Sequence, residues 1–345
     1  FMLRLHDSWY QVFSRTKCSD YDLVHLTLPN TWKLYKNRNV PLLTTVHDLC
    51  HLACPEFQTK SNNQSLTAGI QFAEKVRSDY LAVSESTKEQ MVRLLDVHPQ
   101  RIKVVHEGCN KERFQPIVCR EDLDRVRSKY GIPDEPYVLS VGTLEPRKNL
   151  LNTVRAFHRL TQEAPELKAN LVIAGSFGWG NAKELQDTIE NCTRVYRIGY
   201  VDDDDLAALY SAAAVFCYVS HYEGFGLPLL EAMSCGAPTI YGNSTSMPEI
   251  VASAGLGAQP DDVTQISDRL RELLTNTALR RKLARRAVIR SLDFDWTHSA
   301  EQTFACYEHF IERHQQSRHE ELKQAEDRRS ACTTSEAKRG KNVAA

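Results

Sequence analysis

The sequence predicts an α/β protein of two domains, each built on a parallel sheet covered by helices. Its 345 residues suit about two domains of ordinary size. Short β-rich runs alternate with amphipathic stretches along the chain, which is the pattern of parallel strands joined by crossover helices. Apolar residues make up 42% of the composition, enough for a sizeable core.

The first half contains four predicted strands and two predicted helices. The second helix is expected to begin at Ser86-Thr87-Lys88-Glu89, which has the form of a capping box, and to run through Leu95. The remaining elements are predicted at Asp22–Leu28, Val40–Val46, Asp79–Ser84 and Arg101–His106 for the strands, and at Gln64–Arg77 for the first helix.

A break in the alternation places the domain boundary near residues 116–120. Phe114-Gln115-Pro116 interrupts regular structure at this point. We therefore divide the chain into a first domain at 1–116, a second at 117–296, a helix at 297–314 and a tail at 315–345. The tail is polar and charged with almost nothing to bury, so we predict that it is disordered.

The second domain repeats the alternation and is predicted to be a doubly wound sheet. Its predicted strands are Tyr137–Val141, Asn170–Ala174, Arg194–Ile198, Val215–Val219 and Ala237–Tyr241. Its predicted helices are Glu121–Tyr130, Leu150–Thr161, Ala182–Asn191, Asp203–Ala213 and Pro228–Cys235.

Composition and charge disfavour several classes of protein. A net charge of −1 gives no basic excess for a nucleic acid. No run approaches the roughly 20 apolar residues that cross a bilayer, and we find no basic amphipathic helix of the kind that lies on a membrane. The ten cysteines form no regular framework, so they indicate reduced thiols in a cytoplasmic protein. The spacing of His47, Cys50, His51 and Cys54 fits no common zinc pattern, and we predict no metal site.

The most informative segment is Glu223-Gly224-Phe225-Gly226-Leu227-Pro228-Leu229-Leu230-Glu231, which follows an apolar strand and opens a helix. The free N–H groups of Gly226 and Leu227 at such a helix start suit a phosphate. Glu231, one turn inside the helix, is placed to accept hydrogen bonds from a ribose diol. Glu223 lies on the other side of the phosphate position, where a sugar would sit. The alternative is an ordinary loop with two surface glutamates.

A second segment, Val141-Gly142-Thr143-Leu144-Glu145-Pro146-Arg147-Lys148-Asn149, also joins a strand to a helix. Arg147 and Lys148 place two cations where a diphosphate could be neutralised. The alternative, a solvated charge pair, is disfavoured because cations at a helix N-terminus oppose its dipole. Both segments lie at carboxyl ends of strands, where open α/β sheets bind ligands.

Three further features, a histidine, an acidic run and a loop with three glycines, could also suggest a function. His47 ends a strand and could donate a hydrogen bond to a sugar hydroxyl or a phosphate, although a lone histidine is more often structural. The acidic run Asp202–Asp205 precedes an apolar helix and is interpreted as helix capping. The spacing of the loop Gly175–Gly180 does not match a dinucleotide fingerprint.

These residues together resemble the retaining glycosyltransferases of glycosyltransferase family 4, which have the GT-B fold. The segment Gly142–Asn149 is most similar to the mannosyltransferase-like members. The resemblance implies two Rossmann-like domains with a cleft between them, the first one incomplete, and a helix after Trp296 that crosses back to the first domain. Its most specific element is the pair Glu223 and Glu231, eight positions apart.

The resemblance also implies roles for individual residues. Glu231 matches the ribose-binding glutamate and Glu223 the one that contacts the sugar. Lys148 matches the phosphate-binding lysine, and His47 the histidine of the cleft. Many members carry a second basic residue where this chain has Thr143, which leaves open whether Arg147 takes that role. The other donor-binding positions that it implies are Gly142, Gly226, Leu227, Ile198 and Gly199.

The implied activity is transfer of a hexosyl group, with mannosyl favoured, with retention at the anomeric carbon. GDP-mannose is the favoured donor and UDP-glucose the alternative, with no cofactor. The acceptor would be a saccharide or a lipid-linked saccharide, which would place the protein in the cytoplasm, peripheral to the inner face of the membrane in the lipid-linked case.

Two other functions stay open. Family members begin with a strand and a glycine-rich loop, and nothing before Asp22 provides them, so we expect roughly 60–90 residues to be absent. A protein without them could be a catalytically weakened sugar-nucleotide-binding protein or subunit. A GT-B sugar-nucleotide epimerase would share the same pocket.

Overall fold

The computed structural model describes residues 21–35, 40–180 and 182–341. The expectation that no strand and glycine-rich loop precede Asp22 concerns residues that lie almost wholly outside this part of the chain. Within it, the structure has two parallel sheets.

The first sheet has the strand order β1-β2-β3-β4, and all of its pairs are parallel. Its strands are shorter than their apolar runs suggested, but each falls within a predicted range. Every residue of β3 is buried, as expected for a strand covered on both faces. The strands are β1 Val24–Leu26, β2 Leu42–Val46, β3 Asp79–Ala82 and β4 Ile102–Val104.

The second sheet has the order β10-β9-β8-β5-β6-β7, again with only parallel pairs. The strand order reverses between β5 and β8, so the sheet is doubly wound, as predicted, with its switch point between these two strands. The strands are β5 Tyr137–Val141, β6 Asn170–Ala174, β7 Val195–Gly199, β8 Val215–Tyr218, β9 Thr239–Gly242 and β10 Gly255–Ala258.

Helices connect the strands and cover both faces of the second sheet. In the described part of the chain they are α1 Cys50–Ala53, α2 Lys60–Lys75, α3 Glu85–Leu95, α4 Arg120–Lys129, α5 Leu150–Glu163, α6 Ala182–Glu190, α7 Leu206–Ala212, α8 Leu227–Ser234, α9 Met247–Val251, α10 Val263–Thr275, α11 Thr277–Ser291 and α12 Trp296–Lys341.

Two helix starts differ from the sequence predictions. Helix α3 is capped by Ser84, whose hydroxyl accepts from the N–H of Thr87, so the predicted cap at Ser86 is wrong. At α7 the carboxylate of Asp205 does not cap the helix. It is buried and instead accepts hydrogen bonds from Arg125, Lys129 and Tyr130, because α4 packs against this helix start and supplies stronger, charged partners.

The last helix also differs from its prediction. It was expected to end near His314 and to be followed by a disordered tail, but α12 continues to Lys341. The reason is local: residues 315–341 contain no proline and a single glycine, Gly340, and are rich in Glu, Lys, Gln, Arg and Ala, which favour helix even where little is buried.

Helix α12 follows α11 of the second domain and packs against the first sheet. Phe310 is fully buried against Leu43 and Leu81 of the first sheet. Arg313 donates to the buried carboxylate of Asp79 at the start of β3. One helix therefore fastens the two domains together. Among the residues that the structure describes, neither α12 nor any other helix combines the length and apolarity that a membrane span requires.

We predict that Phe310→Ala lowers the free energy of unfolding by about 3–5 kcal/mol, because it empties a fully buried aromatic site. Phe304→Ala is the matched control on the same helix, since Phe304 is 63% exposed and its loss is expected to change stability by less than about 0.5 kcal/mol. Urea unfolding followed by circular dichroism checks both. Equal stabilities of the two variants would contradict the docking of α12 on the first sheet.

Candidate active site

The two segments singled out in the sequence meet at the switch point of the second sheet. Strands β5 and β8 are direct neighbours, with Val138 opposite Val215 and Leu139 opposite Phe216. The loop after β5 carries Gly142–Asn149, and the loop after β8 leads to Glu223. Because both loops leave the same edge of the sheet, their side chains come within bonding distance.

At the centre of this edge, the buried carboxylate of Glu223 is bound by both predicted cations. The Nζ of Lys148 lies 2.8 Å from one carboxylate oxygen, and an Nη of Arg147 lies 2.8 Å from the other. The hydroxyl of Tyr218, the last residue of β8, donates to the same oxygen as Lys148 at 2.9 Å. We call Glu145, Arg147, Lys148 and Glu223 the charge cluster.

Arg147 is held on two further sides. Its Nε and one Nη lie 3.0 and 2.7 Å from a carboxylate oxygen of Glu145, and its other Nη also donates to the carbonyl of Tyr222 at 2.9 Å. Four of its five N–H groups are therefore engaged. Lys148 donates to Glu223 and Tyr218, which leaves one of its three N–H groups for a ligand. Lys148 thus keeps one donor free, whereas Arg147 is almost fully used in holding Glu145, Glu223 and the carbonyl of Tyr222.

Burial and charge act in opposite directions on Glu223. Burial alone would raise its pKa, but Lys148 and Arg147 outweigh burial and hold the pKa below its ordinary value. Burial likewise tends to lower the pKa of Arg147, whereas the carboxylates of Glu223 and Glu145 raise it overall. Both side chains therefore stay ionised, and their opposite charges compensate each other inside the protein.

The helix start predicted to hold phosphate is present next to the charge cluster. Gly226 precedes α8 in the left-handed region, with φ of 103°, and Leu227 is the first helical residue. Their N–H groups have no carbonyl within the helix to bond. The hydroxyl of Ser246 donates to the carbonyls of Glu223 and Phe225, and Thr245 accepts from the N–H of Glu223. The loop is therefore fixed in this conformation.

Glu231 lies on the same face of the sheet. Its carboxylate accepts a hydrogen bond from the hydroxyl of Tyr210 at 3.0 Å. The ring of Tyr210 packs against Phe216, at 5.3 Å, and Phe216 stacks on Tyr218, at 5.7 Å. A row of three aromatic rings thus connects the two glutamates. Burial raises the pKa of Glu231 to about 7.

His47 directly follows β2 in the first domain, and its backbone lies against the loop that carries Glu223. Its Nδ1 lies 2.8 Å from Glu107 and its Nε2 lies 3.1 Å from the carbonyl of Thr27. Both partners are acceptors, and the hydrogen bond to Glu107 raises the pKa of His47. The free ring N–H that the sequence suggested for a ligand is therefore already in use.

The first domain contacts the glutamate loop directly. A Cβ on Gly224 would lie 1.8 Å from the carbonyl oxygen of His47, so only glycine allows this approach. The carbonyl of Gly224 accepts from Ser84 at 2.7 Å and from Thr87. Nearby, the carboxylate of Glu249 accepts from the first N–H groups of α3 and bonds to His106.

The remaining predicted positions are less central. Gly142 lies beside the aliphatic part of Lys148, and the methyl group of Thr143 lies against Gly178. Ile198 and Gly199 end β7 at the far edge of the sheet, separated from β8 by β5 and β6. Within the described residues, no hydrogen bond or ion pair joins them directly to the charge cluster.

Several residues of the site were not found from the sequence. Tyr218 and Tyr210 resemble ordinary core aromatics, and Glu145 resembles a loop glutamate, because their partners are distant in the chain. The one available signal was position: Tyr218 is the last residue of a strand, and the hydroxyl-rich segment Ser244-Thr245-Ser246 closely follows the end of another.

The His/Cys segment of the first domain, from His47 to Cys54, is the other place where a metal could be considered. Burial raises the pKa of Cys50 to about 12, which opposes the thiolate that a metal needs. Throughout residues 21–35, 40–180 and 182–341, no three or more His, Cys, Asp or Glu side chains are grouped so as to hold an ion.

Comparison with known proteins identifies the family of this chain. Residues 1–113 match the family model described as Glycosyltransferase Family 4, and residues 122–289 match that of Glycosyl transferases group 1. The chain is 34% identical over 270 residues to the O-antigen chain mannosyltransferase B of Escherichia coli, covering 77% of this chain and 69% of that protein. The chain belongs to glycosyltransferase family 4.

A second Escherichia coli relative is much longer than this chain. The serotype-specific mannosyltransferase WbdA of Escherichia coli is 30% identical over 269 residues, which cover 76% of this chain but only 33% of WbdA.

Among solved structures, HepE from Anabaena, in complex with UDP and glucose, superposes with a TM-score of 0.72 at 20% identity, covering 88% of this chain and 80% of HepE. Sucrose-phosphate synthase from Thermosynechococcus elongatus gives 0.71 at 23% identity, covering 89% of this chain and 77% of that one. The fold is GT-B, as the resemblance implied.

We predict that Glu231→Gln stabilises the empty protein at pH 8 but not at pH 4.5. A carboxyl whose pKa is about 7 when folded and ordinary when unfolded binds more protons in the folded state. Stability is therefore lost as pH rises from about 4.5 to about 7, by on the order of 3 kcal/mol in total. Glutamine has no charge to bury and escapes this loss.

Urea unfolding of both proteins from pH 4.5 to 8 measures this difference. The gap between variant and wild type should widen up to about pH 7 and then stay constant. A gap that does not change with pH would show that Glu231 titrates normally.

Proposed function

We propose that this protein is a retaining hexosyltransferase, with mannosyl as the favoured group, which acts on a nucleoside-diphosphate sugar. The observation that carries the proposal is the charge cluster: Lys148 and Arg147 hold the buried Glu223 at the switch point, beside the start of α8. A buried acid ringed by cations next to free backbone N–H groups suits a ligand that combines sugar hydroxyls with a diphosphate.

The donor is proposed to lie across the edge of the second sheet. Its diphosphate contacts the remaining N–H of Lys148 and the N–H groups of Gly226 and Leu227, its sugar hydroxyls contact Glu223, and its ribose diol contacts Glu231. The names of the two Escherichia coli relatives favour a mannosyl group. We propose GDP-mannose as the donor, with UDP-glucose as the alternative to test.

The proposed reaction breaks the bond between the anomeric carbon and the diphosphate oxygen. Negative charge grows on the departing diphosphate, where Lys148 and the start of α8 stabilise it. The acceptor hydroxyl attacks from the face that the diphosphate leaves, so configuration is retained, and its proton leaves with the diphosphate. Because protein groups neutralise this charge, we propose that no metal or other cofactor is essential.

The acceptor is proposed to be a saccharide or a lipid-linked saccharide that enters between the domains. A lipid-linked acceptor would bring the protein, working in the cytoplasm, to a membrane surface.

We predict that Lys148→Met lowers kcat for sugar transfer by about 10²–10³-fold, the usual loss when one group that stabilises developing charge is removed. Glu223→Gln is expected to lower kcat by a similar factor, because it weakens the contact with the sugar hydroxyls of the donor. Lys168→Met is the matched control, because Lys168 is exposed and remote from the site. The measurement is the release of GDP from GDP-mannose, or of UDP from UDP-glucose, in the presence of acceptor.

The other outcomes separate the alternative functions. Tight nucleotide binding by calorimetry without turnover would indicate a binding protein or subunit. A changed donor sugar without added acceptor would indicate an epimerase. If neither Lys148→Met nor Glu223→Gln changes the transfer activity, the assignment of the donor site to these residues is wrong.

We predict that the affinity for GDP rises with pH by up to tenfold per unit as pH approaches 7, and then becomes constant. In the empty protein the pKa of Glu231 is about 7, and a ribose diol donates hydrogen bonds that favour the ionised carboxylate. Binding therefore releases a proton below that pH. GDP affinity is measured by calorimetry across this pH range for the wild type and for Glu231→Gln. The ionisation of GDP itself affects both proteins equally, so only the difference between them reports on Glu231. Parallel pH profiles of the two proteins would refute the prediction.

A further inference from the structure

Helix α11 presents an unpartnered basic face to solvent. Its fifteen residues contain six basic side chains and no acidic one. Leu283, Ala287 and Ser291, four residues apart, are buried where the helix packs on the body of the second domain. Residues half a turn away from this stripe, among them Arg281, Lys282 and Arg285, therefore point outward, and all three are exposed.

The basic residues of α11 fall into two groups. Three of them, Arg280, Arg286 and Arg290, serve the fold by donating to backbone carbonyls at the end of α10, at Ser253 and around α9, and Arg290 also pairs with Asp293. In contrast, Arg281, Lys282 and Arg285 make no ion pair or hydrogen bond to any residue that the structure describes. Three uncompensated charges therefore lie on one face.

Apolar side chains continue this face at the end of the helix. Ile289 is 66% exposed and Leu292, just beyond the helix, is 64% exposed. Both are aliphatic and have no polar atom to bond to water. Cations along an outward face attract an anionic lipid surface, and protruding aliphatic groups beside them can enter the boundary between headgroups and acyl chains.

We propose that α11 docks this protein on an anionic lipid bilayer. Arg281, Lys282 and Arg285 would pair with acidic headgroups, and Ile289 and Leu292 would enter the boundary of the acyl chains. Charge complementarity selects an anionic surface. The protruding aliphatic side chains favour a bilayer over a protein partner, because they can enter the acyl-chain boundary without a preformed pocket.

The position of α11 suits access to the cleft. Phe294, three residues beyond the helix, packs against Phe225 of the glutamate loop at 5.8 Å and against His106 of the first domain at 5.5 Å. The docked end of α11 is therefore joined through a short segment to the contact between the domains. This geometry would hold the cleft near the bilayer surface, where a lipid-linked acceptor would be found.

The test is co-sedimentation of the full chain with vesicles of phosphatidylcholine alone or with phosphatidylglycerol added. We expect binding only to the anionic vesicles, and weaker binding as salt is raised. Replacing Arg281, Lys282 and Arg285 together by Gln should lower the partition coefficient about 100-fold, at roughly a factor of five per cation. Ile289→Ser with Leu292→Ser should weaken the binding that remains at high salt.

The matched control replaces three exposed lysines elsewhere, Lys60, Lys168 and Lys183, by Gln, which removes the same charge and should leave vesicle binding nearly unchanged. Circular dichroism melts establish that every variant folds. Absence of binding by the wild type, as for a helix that instead contacts an acidic protein, would overturn the proposal. Equal losses in both triple variants, or binding indifferent to Ile289 and Leu292, would overturn it as well.

Vesicle binding is scored without donor or acceptor, so its outcome is independent of the proposed transferase reaction. A protein that docks but does not transfer sugar would refute the proposed function alone. A protein that transfers sugar but ignores anionic vesicles would refute the docking surface alone.

Discussion

The site depends on the compensation of one buried charge. Glu223 lies in the protein interior, where an unpaired carboxylate would be strongly unfavourable, and it remains ionised because Lys148 and Arg147 approach it from the neighbouring loop. This requirement fixes the relative position of the loops after β5 and β8. The switch point of the sheet makes it possible, since it is where these two strands become neighbours.

The same loop is part of the contact between the domains. Gly224, next to Glu223 in the chain, touches the backbone of His47, and its carbonyl binds the hydroxyls of Ser84 and Thr87. The contact between the domains therefore lies one residue away from the buried carboxylate.

The sequence predicted the architecture well because alternation of strands and helices is a local property. It also predicted the loops of Glu223 and Lys148, since strand ends and helix starts can be read from neighbouring residues. It could not show that Arg147 is shared between Glu145 and Glu223, because a cation beside Lys148 looks the same whether it faces solvent or a carboxylate. The outward face of α11 was missed for a related reason, as which stripe is buried depends on packing.

The charge cluster has a consequence for release of the spent nucleotide. Two cations, Arg147 and Lys148, are balanced by two anions, Glu145 and Glu223, so the charges of the four side chains cancel in the empty site. In the proposed reaction the sugar's hydroxyls would occupy Glu223 and free Lys148 for the diphosphate. Once the sugar has left, Glu223 would compete again for the same ammonium group and favour expulsion of the product.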